Sequence, residues 1–220
     1  VRGLGSVNDY LSGIAQAQQT TERARAELTR QAERSLQAEQ VLPENARLRA
    51  LLELRDRLSV RARAAEVLYD APDPYTRKII IDRGSNQGVQ HGSPVIHELG
   101  VLGQVTRVYP MTSEVTLVID ENAAIPVDNI RTGLRGVAFG DPSVDSMELR
   151  FVAANADVQV GDILQTSGLD GVYPPGMPVA KVSRLDRRTQ SDFAKIALTP
   201  ATKPDSVRHV LVLEPMSTQQ

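Results

Sequence analysis

The sequence predicts a mainly β protein with a long N-terminal α-helix, in which a coiled coil is followed by two small antiparallel β-barrel domains. Residues 14–83 contain no glycine, whereas residues 84–220 contain twelve of the fifteen glycines and ten of the thirteen prolines. Good helix formers dominate before position 70, and Val- and Ile-rich runs separated by turn residues follow it. We therefore expect a helical rod at 1–69, a first barrel at 70–146, a second barrel at 147–214 and a disordered tail at 215–220.

The rod is expected to be helical over residues 14–68 and to pair with a second copy of the chain. Pairs of opposite charge at helical spacing contribute only about 0.2–0.5 kcal/mol each, so a helix of this length needs a packing partner. The apolar seam assigned to a homodimer, with higher assemblies left open, consists of Leu48, Leu51, Leu54, Leu58 and Ala65. The alternative is that these side chains dock the helix on its own head. Pro43 predicts a kink or short break near Leu42.

The head contains eleven runs with strand character, spaced about 8–12 residues apart as in small barrels or sandwiches. The runs are residues 77–82, 94–96, 101–108, 114–119, 124–130, 134–139, 147–152, 163–166, 178–185, 193–198 and 207–213. Segment 89–95 (VQHGSPV) resembles segment 158–164 (VQVGDIL), which favours two related modules. Whether the last run returns to the first barrel stays open.

Composition excludes several classes of function. The formal net charge of −2 argues against a nucleic-acid binder driven by counterion release. The absence of cysteine excludes disulfides, thiolate catalysis and Cys-based zinc sites. Aromatic residues make up only 4% of the chain, so the cores must consist of Val, Ile, Leu and Ala. No cofactor is expected.

Residue types that could support an enzyme are present but poorly arranged. Two barrels invite comparison with chymotrypsin-like proteases, yet Ser167 lies in a Thr-Ser-Gly-Leu segment that predicts a turn. The pair His97-Glu98 begins a zinc-helix motif, but Val101 occupies the position of the second histidine. We expect His91 and His97 to lie in exposed loops and the protein not to be an enzyme.

Partner contacts are expected at the few aromatic side chains. Tyr109 and Tyr173 each precede a proline, which favours exposed turns, so both are candidate contact residues. The other aromatic residues considered as anchors, Tyr69, Tyr75, Phe139, Phe151 and Phe193, are expected mostly in the core.

Several segments, in order along the chain, resemble the MreC family of rod-shape-determining proteins. They are 44–52 (ENARLRALL), 80–89 (IIDRGSNQGV), 92–95 (GSPV), 100–105 (GVLGQV), 117–120 (LVID), 131–136 (RTGLRG), 161–169 (GDILQTSGL) and 173–179 (YPPGMPV). The first resembles the close of that family's coiled coil, and the last its FPxGxPVG segment. Pro43 before the first segment and Ala180 after the last depart from the family pattern.

The resemblance implies a bacterial protein anchored in the inner membrane, with the anchor upstream of Val1 and most of its mass in the periplasm. It implies a dimeric scaffold of lateral wall elongation, with MreB, MreD, RodA and the elongation-specific penicillin-binding transpeptidase as partners. The alternative is a periplasmic adaptor subunit of an export pump. Such adaptors carry a helical hairpin, so packing of 14–42 against 44–68 would favour that alternative.

Overall fold

The computed structural model describes residues 39, 41–56, 60–73, 75–141, 145–153, 155–186 and 195–215. The chain divides into two compact units, residues 1–49 and 50–220. Residues 41–56 form a helix, α1, which confirms the predicted helix over that range and places Pro43 within it. The rest of the predicted rod before residue 41, apart from residue 39, lies outside the described residues, as do Leu58 and the tail at 216–220.

Twelve described strands close into two barrels of six antiparallel strands each. Barrel 1 contains β1 (Ala62–Asp70), β2 (Lys78–Ile81), β3 (Pro94–His97), β4 (Gly100–Val108), β5 (Ser113–Leu117) and β12 (His209–Leu213). Barrel 2 contains β6 (Ala124–Asn129), β7 (Arg135–Asp141), β8 (Ser146–Arg150), β9 (Ile163–Thr166), β10 (Pro178–Asp186) and β11 (Lys195–Pro200). Every one of the eleven predicted runs overlaps a strand, and the last run does return to barrel 1.

The two barrels share one topology. Around barrel 2 the strands follow the order β9-β10-β11-β8-β7-β6, and around barrel 1 the order β3-β4-β5-β2-β1-β12. Strand for strand, β12 thus takes in barrel 1 the place that β6 takes in barrel 2. The resembling segments 89–95 and 158–164 lead into β3 and β9, which hold equivalent places. The prediction of two related modules is therefore confirmed, with barrel 1 circularly permuted by its C-terminal strand.

Two predicted boundaries are wrong. Residues 62–68 were assigned to the rod helix but form most of β1, which pairs with β2 and β12. Alanine, arginine and glutamate favour a helix there, and the pairing that closes the barrel overrides this local preference. The chain also passes from barrel 1 to barrel 2 in the connecting segment 118–123 and not at residue 146. Strands β6 and β7 belong to barrel 2, because they pair with β9 and β8 respectively.

The interiors of the two barrels form one continuous apolar cluster of mainly Val, Ile and Leu side chains. Close backbone approaches fix barrel 2 against barrel 1 and against the connecting segment 118–123. A Cβ atom on Gly100 of β4 would collide with the carbonyl of Pro178, and one on Gly140 of β7 would collide with the carbonyl of Asp120. Since neither glycine can carry a side chain without displacing the neighbouring backbone, the barrels of this unit are packed at a defined separation.

A second, smaller cluster covers the outer face of barrel 1. Val210 and Val212 of β12 belong to the interior cluster, so Leu211 and Leu213 point outward by strand alternation. These two leucines pack with Ile96 of β3 and with Leu51 of α1. The end of α1 within the second unit therefore shields an apolar outer face of barrel 1. Across the described residues, no helix combines the length and apolar content that a membrane span requires.

Candidate partner-binding surface

The residues predicted to form the dimer seam have different environments in the structure. Leu51 is 5% exposed and lies against barrel 1, with Leu54 packed at the edge of the same cluster. Ala65 lies in β1 with its side chain in the barrel interior, so its assignment to a coiled coil is wrong. Leu48 is 39% exposed. For Leu51 and Leu54 the structure thus shows the docking that was the alternative to self-association.

The two tyrosines predicted as partner contacts have opposite environments. Tyr109 is 42% exposed at the tip between β4 and β5, and its carbonyl accepts a hydrogen bond from the Ser85 amide at 2.9 Å. Its predicted exposure is confirmed, and its role as a contact stays a prediction. Tyr173 is only 4% exposed, so the expectation of an exposed turn is wrong there. Its ring is enclosed because it lines the junction between the barrels.

Three candidates for catalysis or metal binding, Ser167, His97 and His91, lie in a turn, in a strand and at an exposed position respectively. The Ser167 hydroxyl donates to the carbonyl of Pro126 at 3.2 Å and accepts from the Leu169 amide at 3.3 Å, which is the predicted turn. His97 is 4% exposed in β3, so its expected loop position is wrong, while His91 is exposed. In the described part of the chain, no group of three or more His, Cys, Asp or Glu side chains could bind a metal ion.

An aromatic patch on barrel 2, formed by Phe139, Arg150 and Phe151, is the strongest candidate contact surface. The rings of Phe139 and Phe151 meet edge to face with centroids 6.0 Å apart. The Arg150 guanidinium carbon lies 4.7 Å from the centre of the Phe139 ring, and its Nε donates to Glu148 at 3.1 Å. Phe151 is 67% exposed. A large ring held at the surface beside a cation offers both contact area and a polar rim to a partner.

The local backbone explains why Phe151 is outside. Leu149 points into barrel 2 and Arg150 points out, so an extended residue 151 would point in again. Phe151 instead has φ of +64°, a left-handed conformation that costs a bulky residue roughly 1–2 kcal/mol. This turn places Val152, which is 2% exposed, in the interior and leaves the phenylalanine at the surface. Strain that keeps an aromatic side chain in solvent points to a role for that side chain.

Sequence reasoning missed this patch because phenylalanine in a strand-rich segment is normally core. The expectation of burial is wrong for Phe151 and also for Tyr69 and Tyr75, which are 58% and 83% exposed. In the sequence, Met147, Leu149 and Phe151 alternate with Glu148 and Arg150, which favours burial of all three apolar side chains, so no sequence signal revealed the exposure of Phe151.

A network of charged side chains connects the segments next to β6 and β9 in barrel 2. Both oxygens of Asp162 accept from Arg131, at 2.7 Å from Nε and 2.9 Å from Nη2. Asn129 Nδ2 and the Gln159 amide also donate to Asp162, at 2.7 and 2.9 Å. Hydrogen bonds from Arg131 and then from these neighbours hold the pKa of Asp162 well below its usual range. Asp157 also belongs to this network, since its carboxylate accepts a hydrogen bond from Arg131 Nη1 at 2.8 Å.

Comparisons with known proteins converge on one family. The family model described as "Rod shape-determining protein MreC, barrel core" matches residues 67–214. The cell shape-determining protein MreC of Escherichia coli is 37% identical over 210 residues, which are 96% of this chain and 57% of that protein. The chain thus spans about half the length of the curated relatives it matches.

Solved structures show the same fold. The crystal structure of MreC from Pseudomonas aeruginosa is 38% identical, with a TM-score of 0.68, and the likeness covers 70% of this chain and 99% of that one. A complex between the penicillin-binding protein PBP2 and MreC from Helicobacter pylori contains a chain that is 16% identical, with a TM-score of 0.58. That likeness covers 71% of this chain and 99% of that one, and it shows a shared fold.

Proposed function

The chain belongs to the MreC family of rod shape-determining proteins, and we propose on this basis that it is a non-enzymatic scaffold for lateral cell-wall elongation. The proposal places the barrels in the periplasm, with an anchor in the inner membrane. Its role is to hold partner proteins at a set separation. The fixed packing of the two barrels through Gly100 and Gly140 supports that role, since a spacer must be rigid.

The partner proposed for the aromatic patch is the penicillin-binding transpeptidase of the elongation machinery. A protein of the same fold forms a complex with PBP2 in Helicobacter pylori. The single observation that carries the proposal for this chain is Phe151, exposed and held in a strained conformation next to Phe139 and Arg150. Aromatic and arginine side chains dominate the binding energy of protein interfaces. The family also implies MreB, MreD and RodA as partners, and these stay predictions.

Self-association is proposed to use a different seam of α1 from the one first expected. Leu51 is committed to barrel 1, so it is not free to pair with a second copy. Leu48 and Leu52 lie one helical turn apart and are 39% and 48% exposed. Leucines at this spacing suit one side of a coiled-coil dimer. We therefore assign Leu48 and Leu52 to the homodimer and leave Leu51 and Leu54 to the intramolecular contact.

Binding of the purified periplasmic domain of PBP2 tests the proposed surface. Phe151→Asn removes the ring, and asparagine tolerates the left-handed backbone. We expect this change to weaken binding by about tenfold or more, the loss of at least 1.4 kcal/mol. Tyr75→Asn, which alters an aromatic residue more exposed than Phe151 on barrel 1, is the control and should bind as the unchanged protein does. Equal affinity for both variants would remove the aromatic patch from the proposal.

No observation favours the export-pump adaptor. The test that would have supported it, packing of 14–42 against 44–68, falls mostly on residues outside those described. Membership of the MreC family favours the scaffold function over the adaptor function.

A further inference from the structure

A cavity of about 330 Å³ lies where the two barrels meet and has no role in the scaffold function. One side is formed by β2, β4 and β5 of barrel 1, and the other by the connecting segment, the start of β6 and Tyr173. We call it the junction pocket. Its volume is at the small end of the range for ligand sites, which suits a molecule of monosaccharide size.

The barrel 1 wall of the junction pocket is polar. Strand register pairs Thr116 with Lys78 on one side and with Gln104 on the other, so the three side chains form a row across β2, β5 and β4. The hydroxyl of Thr106 lies 2.9 Å from that of Thr116. The Lys78 ammonium is compensated by Glu114 at 2.9 Å. This wall therefore offers hydrogen bonds with little net charge.

The opposite wall is mainly apolar, and besides the hydrogen-bonded side chains of Asp120 and Asn122 it carries one unused polar group. Ile125 and Ala124 line it beside Tyr173. Tyr173 is 4% exposed, and its hydroxyl has no hydrogen-bond partner in the part of the chain that the structure describes. The hydroxyl is not fully enclosed by protein, so a ligand in the pocket can reach it. Burial, with a contribution from Asp170, raises the pKa of Tyr173 above its ordinary range, so the hydroxyl stays protonated and able to donate.

We propose that the junction pocket binds a neutral, hydroxyl-bearing small molecule, such as a single sugar unit. A sugar ring carries hydroxyl groups around its edge and C–H groups on its faces, which matches one polar and one apolar wall. An anion gains little from Lys78 because Glu114 already neutralises it, and the carboxylate of Asp120, which also lines the pocket, repels an anion. The Tyr173 hydroxyl supplies a donor for a ligand oxygen. This inference goes beyond the scaffold function and does not depend on it.

Titration of the ¹⁵N-labelled 220-residue chain with N-acetylglucosamine, followed by amide chemical shifts, tests the inference. We expect saturable shifts at residues 104–106, 116–118 and 122–125, with a dissociation constant of the order of millimolar. Tyr173→Phe keeps the ring that shapes the pocket and should weaken binding by about fivefold, the loss of one hydrogen bond. Tyr109→Phe, at the exposed tip, is the matched control and should change nothing. Glucuronate, which is anionic, should bind more weakly than the neutral sugar.

Three results would overturn the proposal: no saturable shifts up to about 50 mM, well above a millimolar constant, shifts confined to residues away from the pocket, or unchanged affinity of Tyr173→Phe. Thr106→Val provides a second variant at an exposed position and should also weaken binding. Melting curves of both variants establish that they are folded. Failure here would leave the binding of PBP2 by the aromatic patch untouched, so the two proposals are separable.

Discussion

Leu51 and Leu52 are neighbours on α1 that we expect to behave in opposite ways when each is changed to alanine. Leu51 is 95% removed from solvent against Ile96, Leu211 and Leu213, whereas Leu52 is 48% exposed. Truncation of a fully buried leucine costs about 2–5 kcal/mol, because the transfer energy of the lost methyl groups adds to that of the cavity. We expect Leu51→Ala to destabilise the fold by about 3 kcal/mol. For a chain of this size that corresponds to a fall in melting temperature of about 6–12 °C.

Thermal unfolding followed by circular dichroism, together with sedimentation equilibrium, separates the two roles. Leu52→Ala should leave the free energy of unfolding of the monomer within about 0.5 kcal/mol of that of the unchanged protein, since surface changes are usually that small. It should instead shift the monomer–dimer equilibrium toward the monomer. If Leu51→Ala dissociates the dimer with no loss of stability, the docking of α1 on barrel 1 is refuted and Leu51 belongs to the coiled-coil seam.

Two further perturbations probe the barrels. Gly100→Ala should destabilise the protein by about 2–4 kcal/mol, measured by urea unfolding, because its Cβ would strike the Pro178 carbonyl. Gly133→Ala, also at positive φ but with open space around it, should lose only about 1 kcal/mol, and equal losses would show that the close approach is unimportant. Asp162→Asn should lose about 2 kcal/mol at pH 7, where the carboxylate accepts from Arg131. Because folding lowers the pKa of Asp162, its stabilisation is present above the unfolded pKa of about 3.9 and is lost as the pH falls below it. The stability gap between the unchanged protein and the variant should therefore narrow below about pH 4, and a gap that widens on acidification would contradict the role of this carboxylate.

The strands of the head were predictable because each satisfies a local rule. Val- and Ile-rich runs bounded by Gly, Pro, Asn or Asp gave eleven strands, and each overlaps an observed one. Strand β12 was found from its apolar run even though its place in barrel 1 depends on pairing with β1 and β3, far away in sequence. What local rules could not supply was the allocation of strands to barrels, because it depends on which strands pair, as β6 does with β9.

The first strand was missed for a physical reason. Residues 62–70 combine alanine, arginine and glutamate with no glycine or proline, which is the composition of the preceding helix. They form a strand because β2 and β12 leave a gap that only a sixth strand can close. Tertiary pairing decides the conformation here, so no periodicity within the segment could reveal it.

The candidate surfaces were the least predictable part. Sequence reasoning favoured Tyr109 and Tyr173 because each precedes a proline, and only Tyr109 proved exposed. Phe151 was expected to be buried, but its positive φ leaves the side chain at the surface. A proline neighbour reports on the backbone, but exposure depends on what packs over the side chain, and for Tyr173 that is the junction of two barrels.

Site-specific photo-crosslinking tests most directly the claim that this protein works by presenting a fixed contact surface. A benzoyl-phenylalanine placed at Phe151 keeps an aromatic ring in the patch, and one placed at Tyr75 reports on an exposed position of barrel 1. We expect a crosslink to the periplasmic domain of PBP2 from position 151 and none from position 75. Crosslinking from position 75 with none from position 151 would contradict it.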